Sequence, residues 1–483
     1  MFKKTRSLMA LLISTSLISP AIANNNIDLP DIGTAAAGTL TIDQELIYGD
    51  AYMRMLRAGK PIINDPVLNE YITNLGHRLV VNANDVKTPF NFFMIQDRAI
   101  NAFAFFGGYV ALHSGLFLHA NSESELASVM SHEIAHVTQR HLARSMEDQA
   151  RRSPATIAAI AGSLLLAIAA PEAGIAAITA TTAGTMQSQI NYTRSNEKEA
   201  DRFGIVTLAK AGFDVQAMPR FFGRLADEYR YASTPPPMLL THPLPQDRIS
   251  DSRARAQNYP PLKLGASIEY HLAKARVIAR YAKIQPENAL DWFDRKLKKI
   301  TNELRPTYQY GQALVYLDTK QLDKAETLLL ALLKQDALNI FYLDALSDLF
   351  IYKKTPNQAI KLLENALNKK PNNPVLTINY ANALIEAEQY QKAISLLQRY
   401  SHEHPTDLNG WRLLADSNSK LGNTAENLAA EGEIFSLQAN WNKALQNFTQ
   451  ASQLADLGSL KQARYDARID QLMVQRDRFL SLQ

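Results

Sequence analysis

Apolar residues recur with a helical period along most of this chain, and shift to strand-like runs in one short region. After Asp65-Pro66, an N-cap with proline at the first helical position, Leu68, Tyr71, Ile72, Leu75 and Leu79 fall at i, i+3, i+4, i+7 and i+11. That spacing predicts an amphipathic helix. Phe90 to Ile95, Ala102 to Phe106 and Tyr109 to His113 read as short strands, the last two joined by a turn at Gly107-Gly108. Helical spacing then returns: Ser122 and Glu125 form a capping box, and Leu126, Val129, Met130, Ile134 and Val137 line one helix face.

Within that helix stands H-E-I-A-H at 132–136. Residues four apart leave one face of a helix a turn apart, so His132 and His136 can hold one metal ion while Glu133 projects beside them. Zn2+ accepts neutral imidazoles, and a catalytic zinc keeps one position open for water whose pKa falls to about 7. Glu133 is placed to take that water's proton and return it to a leaving amine. His113 and His119 belong to no ligand spacing and are read as strand-end and surface histidines. Continued helical geometry would turn His141 away from the metal face.

A third ligand is found downstream. In N-Y-T-R-S-N-E-K-E-A-D-R, Glu197 and Asp201 lie one helical turn apart. Glu197 can supply a carboxylate ligand, and Asp201 can accept the spare ring N–H of a ligating histidine. Glu199 points off that face. An Ala/Ile/Leu/Gly-dominated stretch, Thr156 to Thr185, precedes this run and is interrupted by Pro171-Glu172. Neither half reaches the roughly 20 apolar residues of a membrane span. A packed helical hairpin is one reading, and an apolar surface offered to a membrane or a misfolded client is the other, with peripheral membrane contact through 156–185.

These motifs, together with T-H-P-L-P-Q-D-R at 241–248, resemble the gluzincin zinc peptidases of the group containing HtpX and the CAAX prenyl proteases. The resemblance implies one Zn2+ per chain held by His132, His136 and Glu197, Glu133 as general base and acid, and Asp201 beside His132. It also singles out His242, on a loop stiffened by Pro243 and Pro245. His242 either closes the metal's open position at rest or hydrogen-bonds the transition-state oxyanion. Arg248 either stabilises charge or anchors the loop. A strand beside such a helix can take up an extended substrate on its free edge, and Tyr109, Val110 and Ala111 are the candidate segment.

The C-terminal half repeats itself. Ala325, Ala359 and Ala393 recur every 34 residues, as do Ala313, Ser347, Ala381 and Ala415. A 34-residue period with small residues where helices touch is the tetratricopeptide signature. The register is expected to fail after about residue 420, with degenerate flanking repeats and a closing helix near 460–480. Such arrays offer a concave surface to protein partners, or act as a platform over the preceding domain. No site is assigned to Tyr308, Tyr310, Tyr342 or Tyr380.

The fold class is therefore mainly α: an α+β gluzincin domain with a small sheet, 24–262, then an α-solenoid of tetratricopeptide repeats, 263–483. Residues 1–23 read as a cleaved signal peptide, with Lys3, Lys4 and Arg6 ahead of an apolar run and Ala21-Ile22-Ala23 before the cut. Its removal takes three positive charges and turns the formal +4 into +1, so nothing favours a nucleic-acid partner. Cysteine is absent, which excludes thiol catalysis and cysteine ligation. A periplasmic location fits. Within its group the chain resembles the periplasmic branch that acts in outer-membrane beta-barrel assembly. That implies a proteolytic and chaperone-like role, with the assembly machinery and barrel clients such as LptD as partners. The competing class is a non-catalytic chaperone with structural zinc, against which the intact Glu133 argues.

Overall fold

The computed structural model describes residues 35–36, 38–152, 183–231, 235–300 and 302–480. Residues 1–23, read above as a signal peptide, and nearly all of the apolar stretch lie outside the described residues. Helix α1, Ile42–Gly59, starts at a full capping box between Thr41 and Gln44. Strand β1 is Ile62–Ile63. Helix α2, Pro66–Val80, begins where the sequence places it: Asp65 Oδ1 accepts the amide protons of Val67 and Leu68, and all five predicted apolar positions are buried.

A four-stranded mixed sheet follows. Strands β2 (Asn91–Ile95), β3 (Ala102–Phe105) and β4 (Tyr109–His113) join β1 in the order β1-β2-β4-β3. β4 runs parallel to β2, with Phe92 opposite Val110, and antiparallel to β3, with Ala104 opposite Val110. Gly107 and Gly108 both take positive φ in the turn, and a Cβ on Gly108 would sit 1.9 Å from Pro89 O. Only glycine fits there.

This order corrects the expectation for Tyr109, Val110 and Ala111. They lie in β4, which is paired on both sides; the edges are the two-residue β1 and β3, and β3 is the edge that packs against α4. The glycine turn throws β3 outward and seats β4 against β2. A parallel pairing between segments this far apart leaves no trace in local alternation.

Helix α3 is Ser114–His119 and α4, the motif helix, is Glu123–Thr138. Ser122 caps α4 through Glu125 N, but Glu125 reaches back to Asn121 N rather than to the cap residue, and pairs with Arg224 at 2.6 Å. Leu126, Val129, Met130 and Ile134 are fully buried. α4 packs along the long helix α6, Ala183–Lys210, and against α2 and β3. Between them is α5, His141–Arg152. Then come α7 (Ala217–Glu228), α8 (Pro237–Thr241) and α9 (Gln246–Ala256).

From Ile268 onward the described chain is helical hairpins. Helices Leu322–Gln335, Pro356–Leu367, Tyr390–Glu403 and Thr424–Leu437 begin 34 residues apart, and Ile340–Tyr352, Pro374–Glu386 and Leu408–Lys420 keep the same interval. The period thus survives past residue 420, where the sequence pattern loses it. Asn427 replaces the expected small residue, and close approach shifts to Ala430 and Gly432, where a Cβ would meet Phe448 at 2.6 Å. The expected closing helix is Leu460–Leu480.

One hydrophobic core runs from α2 and α4 through to the repeats. α2 packs against helices Ile268–Arg276, Ile340–Tyr352 and Pro374–Glu386. On the other flank Arg54 of α1 donates to Ser436 O at 2.7 Å and lies over the Trp441 ring. No helix among the described residues is long and apolar enough to cross a membrane.

Candidate metal centre

His132 and His136 project from α4 and meet Glu197 of α6 and His242, which follows α8. One ligand atom from each of the four lies within 4.8 Å of the others. His132 Nε2 and His136 Nε2 are 3.0 Å apart, and each is 3.3 Å from an oxygen of Glu197. His242 Nδ1 lies 3.0 Å from Glu197 Oε1 and 3.3 Å from His132 Nε2. Lone pairs converging at such distances repel unless a proton or a metal cation lies between them, and four donors meeting in one place suit a single cation. The donor set, neutral imidazoles and one carboxylate, is the chemistry Zn2+ accepts. Glu133 adds a second sign: its Oε1 is buried, 3.6 Å from His242 Nε2, and has no hydrogen-bond partner among the described residues.

The other ring nitrogens are held from behind. His132 Nδ1 is 2.9 Å from Asp201 Oδ1. Arg248, 2% exposed, grips both carboxylates: Nε and Nη2 meet Asp201 at 2.5 and 2.9 Å, and Nη1 meets Glu197 Oε2 at 2.6 Å. Its Nη1 also donates to Pro243 O at 2.9 Å. The guanidinium therefore pairs with buried charge and anchors the His242 loop at once. Met238 N, in the α8 turn that leads into His242, donates to Ile100 O just before β3.

The electrostatics set the two imidazoles apart. Burial pulls His136 well below the ordinary imidazole range, so it stays neutral. Burial also lowers His132, but Asp201 and Glu197 beside it outweigh that and raise the pKa to about 9, so a metal bound there displaces a proton from the ring. For Glu197, burial is outweighed by His242, Arg248 and His136, which hold the carboxyl well below its usual range. Asp201 is lowered too, burial being outweighed by Arg248 and His132.

The structure brings His132, Glu133, His136, Glu197, Asp201, His242 and Arg248 together, and leaves His113 and His119 apart from them, beside Asp97 and Glu228. His141 departs from expectation. It does not turn away: its Nδ1 lies 2.9 Å from His136 Nδ1, and its Nε2 is 3.2 Å from Glu199 Oε2. The helix ends before it, because Arg140 takes φ 53° and redirects the chain. That left-handed turn costs a non-glycine residue roughly 1–2 kcal/mol. It is anchored by the Arg140 guanidinium on Glu45 Oε1 at 3.0 Å and Leu40 O at 2.7 Å. Burial lowers the His141 pKa, and the hydrogen bond from His141 is the largest influence pulling Glu199 down to about 2.

Residues 66–256 match Peptidase family M48, and residues 351–416 match a tetratricopeptide repeat. A relative from Vibrio cholerae serotype O1 is 73% identical over 100% of both chains. The beta-barrel assembly-enhancing protease of Escherichia coli K12 is 47% identical over 99% of both chains, and that of Yersinia pestis 48% identical over 94% of this chain and 93% of its own. The chain belongs to this family of M48 peptidases. As a beta-barrel assembly-enhancing protease relative it is a metalloendopeptidase joined to helical repeats, and the His/Glu cluster above is a group among its described residues that could hold the metal.

Proposed function

We propose that the protein is a zinc endopeptidase of the periplasm that degrades misassembled outer-membrane barrel proteins and assists their assembly. The single observation that carries the site is the convergence of His132, His136, Glu197 and His242 within 4.8 Å, with Glu133 beside them. Zinc, bound by His132, His136 and Glu197, would supply Lewis acidity. Glu133 takes a proton from the attacking water and delivers it to the leaving nitrogen. Asp201 holds His132 through Nδ1, and Arg248 keeps Glu197 and Asp201 ionised and the loop in place. His242 fills the remaining side of the cluster and restrains the site until the loop lifts. The edge strand β3, beside α4, takes the extended substrate, the role first assigned to Tyr109–Ala111.

The relatives' description as beta-barrel assembly-enhancing proteases supports the client class, with the assembly machinery as partner and barrels of the LptD kind among the substrates. The repeats recruit such proteins with whatever surface α2 leaves open. A non-catalytic chaperone with structural zinc is the alternative. Glu133→Gln separates the two: it should retain about one zinc per chain and lose cleavage of an unfolded barrel protein. Undiminished cleavage would remove the enzyme reading.

A further inference from the structure

We propose that His141, backed by Glu199, is a positioning residue that fixes the tautomer of His136 and so keeps its Nε2 lone pair directed at the metal. The inference rests on the zinc-site reading above and adds two residues to it.

Glu199 Oε2 receives Arg144 Nη1 at 2.8 Å and faces His141 Nε2 at 3.2 Å. A carboxylate paired with a guanidinium only accepts, so the proton in the second contact belongs to His141 Nε2. A neutral imidazole protonated there carries a lone pair on Nδ1. That atom lies 2.9 Å from His136 Nδ1. Two lone pairs would repel at this distance, so the proton between the rings belongs to His136. His136 Nε2 is left unprotonated, and it is the nitrogen that faces His132 Nε2 at 3.0 Å and Glu197 Oε1 at 3.3 Å.

The arrangement mirrors the other imidazole, where Asp201 faces His132 Nδ1 at 2.9 Å. Each ring thus has a carboxylate behind its Nδ1, one in direct ion-pair contact and the other acting through a second imidazole. The contact is also built rather than incidental. His141 can fold back on His136 only because Arg140 reverses the helix at φ 53°, and the buried Glu45–Arg140 pair stabilises that turn. Partners of this kind typically change metal affinity 10- to 100-fold when removed.

The test uses the full chain, stripped of metal and titrated with zinc against a competing chelator, for wild type, His141→Ala, His141→Gln, Glu199→Ala and His132→Ala. His141→Ala should weaken zinc binding 10- to 100-fold and Glu199→Ala by a smaller factor. His141→Gln, whose side-chain carbonyl can accept the His136 N–H, should recover most of the loss. Long-range proton–nitrogen spectra of 15N-histidine-labelled wild type should show His136 protonated at Nδ1, with that signature lost in His141→Ala. Zinc affinity within two-fold of wild type in His141→Ala, or His136 protonated at Nε2 in wild type, would overturn the proposal. His132→Ala is the control: if it keeps full zinc affinity, the zinc-site reading itself fails, whereas loss in His132→Ala alone condemns only the role of His141. Should His141→Ala not fold, the wild-type spectrum and His141→Gln still decide.

Discussion

Arg276 Nε donates to Asp65 Oδ2 at 2.6 Å, in a site where both side chains are almost wholly buried. Asp65 caps α2 with its other oxygen, and Arg276 ends a helix of the C-terminal half. The guanidinium continues to Asp344 at 2.6 Å and to Tyr310 OH at 2.8 Å, while Tyr281 OH donates to Asp65. One ionic network thus ties the first core helix of the peptidase part to three helices of the repeat part.

Arg276→Met should destabilise the chain by about 3–5 kcal/mol, because two carboxylates lose their cation while buried. Urea unfolding followed by far-ultraviolet circular dichroism measures this. A change under about 1 kcal/mol would mean the network adds little to the junction.

His242→Ala should raise cleavage of an unfolded barrel protein several-fold at unchanged zinc content, since His242 stands 3.0 Å from Glu197 and 3.3 Å from His132. A collapse of activity with zinc retained would instead assign His242 to the transition state.

A bound peptide inhibitor should slow amide exchange in residues 100–106 and leave 109–113 unchanged. β4 is already paired on both sides, whereas β3 has an open side. Hydrogen exchange read by mass spectrometry distinguishes the two strands, and new protection confined to 109–113 would contradict substrate addition at β3.

Lys274 provides a pH prediction. Burial, with help from Lys296, lowers its pKa to about 8, and its Nζ donates to Ala120 O at 2.6 Å. The unfolded value is about 10.4, so between pH 8 and 10 the unfolded state binds more protons and stability rises with pH. The cost of the buried charge is complete below pH 8 and disappears above about 10.4. Wild type should therefore gain stability relative to Lys274→Met as pH rises from 8 to 10, measured by urea unfolding at each pH. A flat difference would contradict the shift.

Much of this architecture was legible because its signals are local. The α2 cap at Asp65, the pairing of His132 with His136, and Glu197 with Asp201 all follow from one helical turn. What escaped depends on backbone reversals or distant pairing. Nothing beside Arg140 announces a left-handed residue, so His141 was extrapolated along a helix that ends before it. β4 is central because it pairs with β2, a relation strand alternation does not encode. In helix Thr424–Leu437 the small residues moved from position 427 to 430 and 432, so the fold kept a period that the pattern had lost.

The central claim is that one zinc ion sits between α4 and α6. Crystals of the zinc-loaded full chain, with diffraction recorded on both sides of the zinc absorption edge, test it most directly. The account predicts a single strong anomalous peak about 2.0–2.2 Å from His132 Nε2, His136 Nε2 and a Glu197 oxygen. A peak elsewhere, or none at this cluster in protein carrying one zinc per chain, would contradict it.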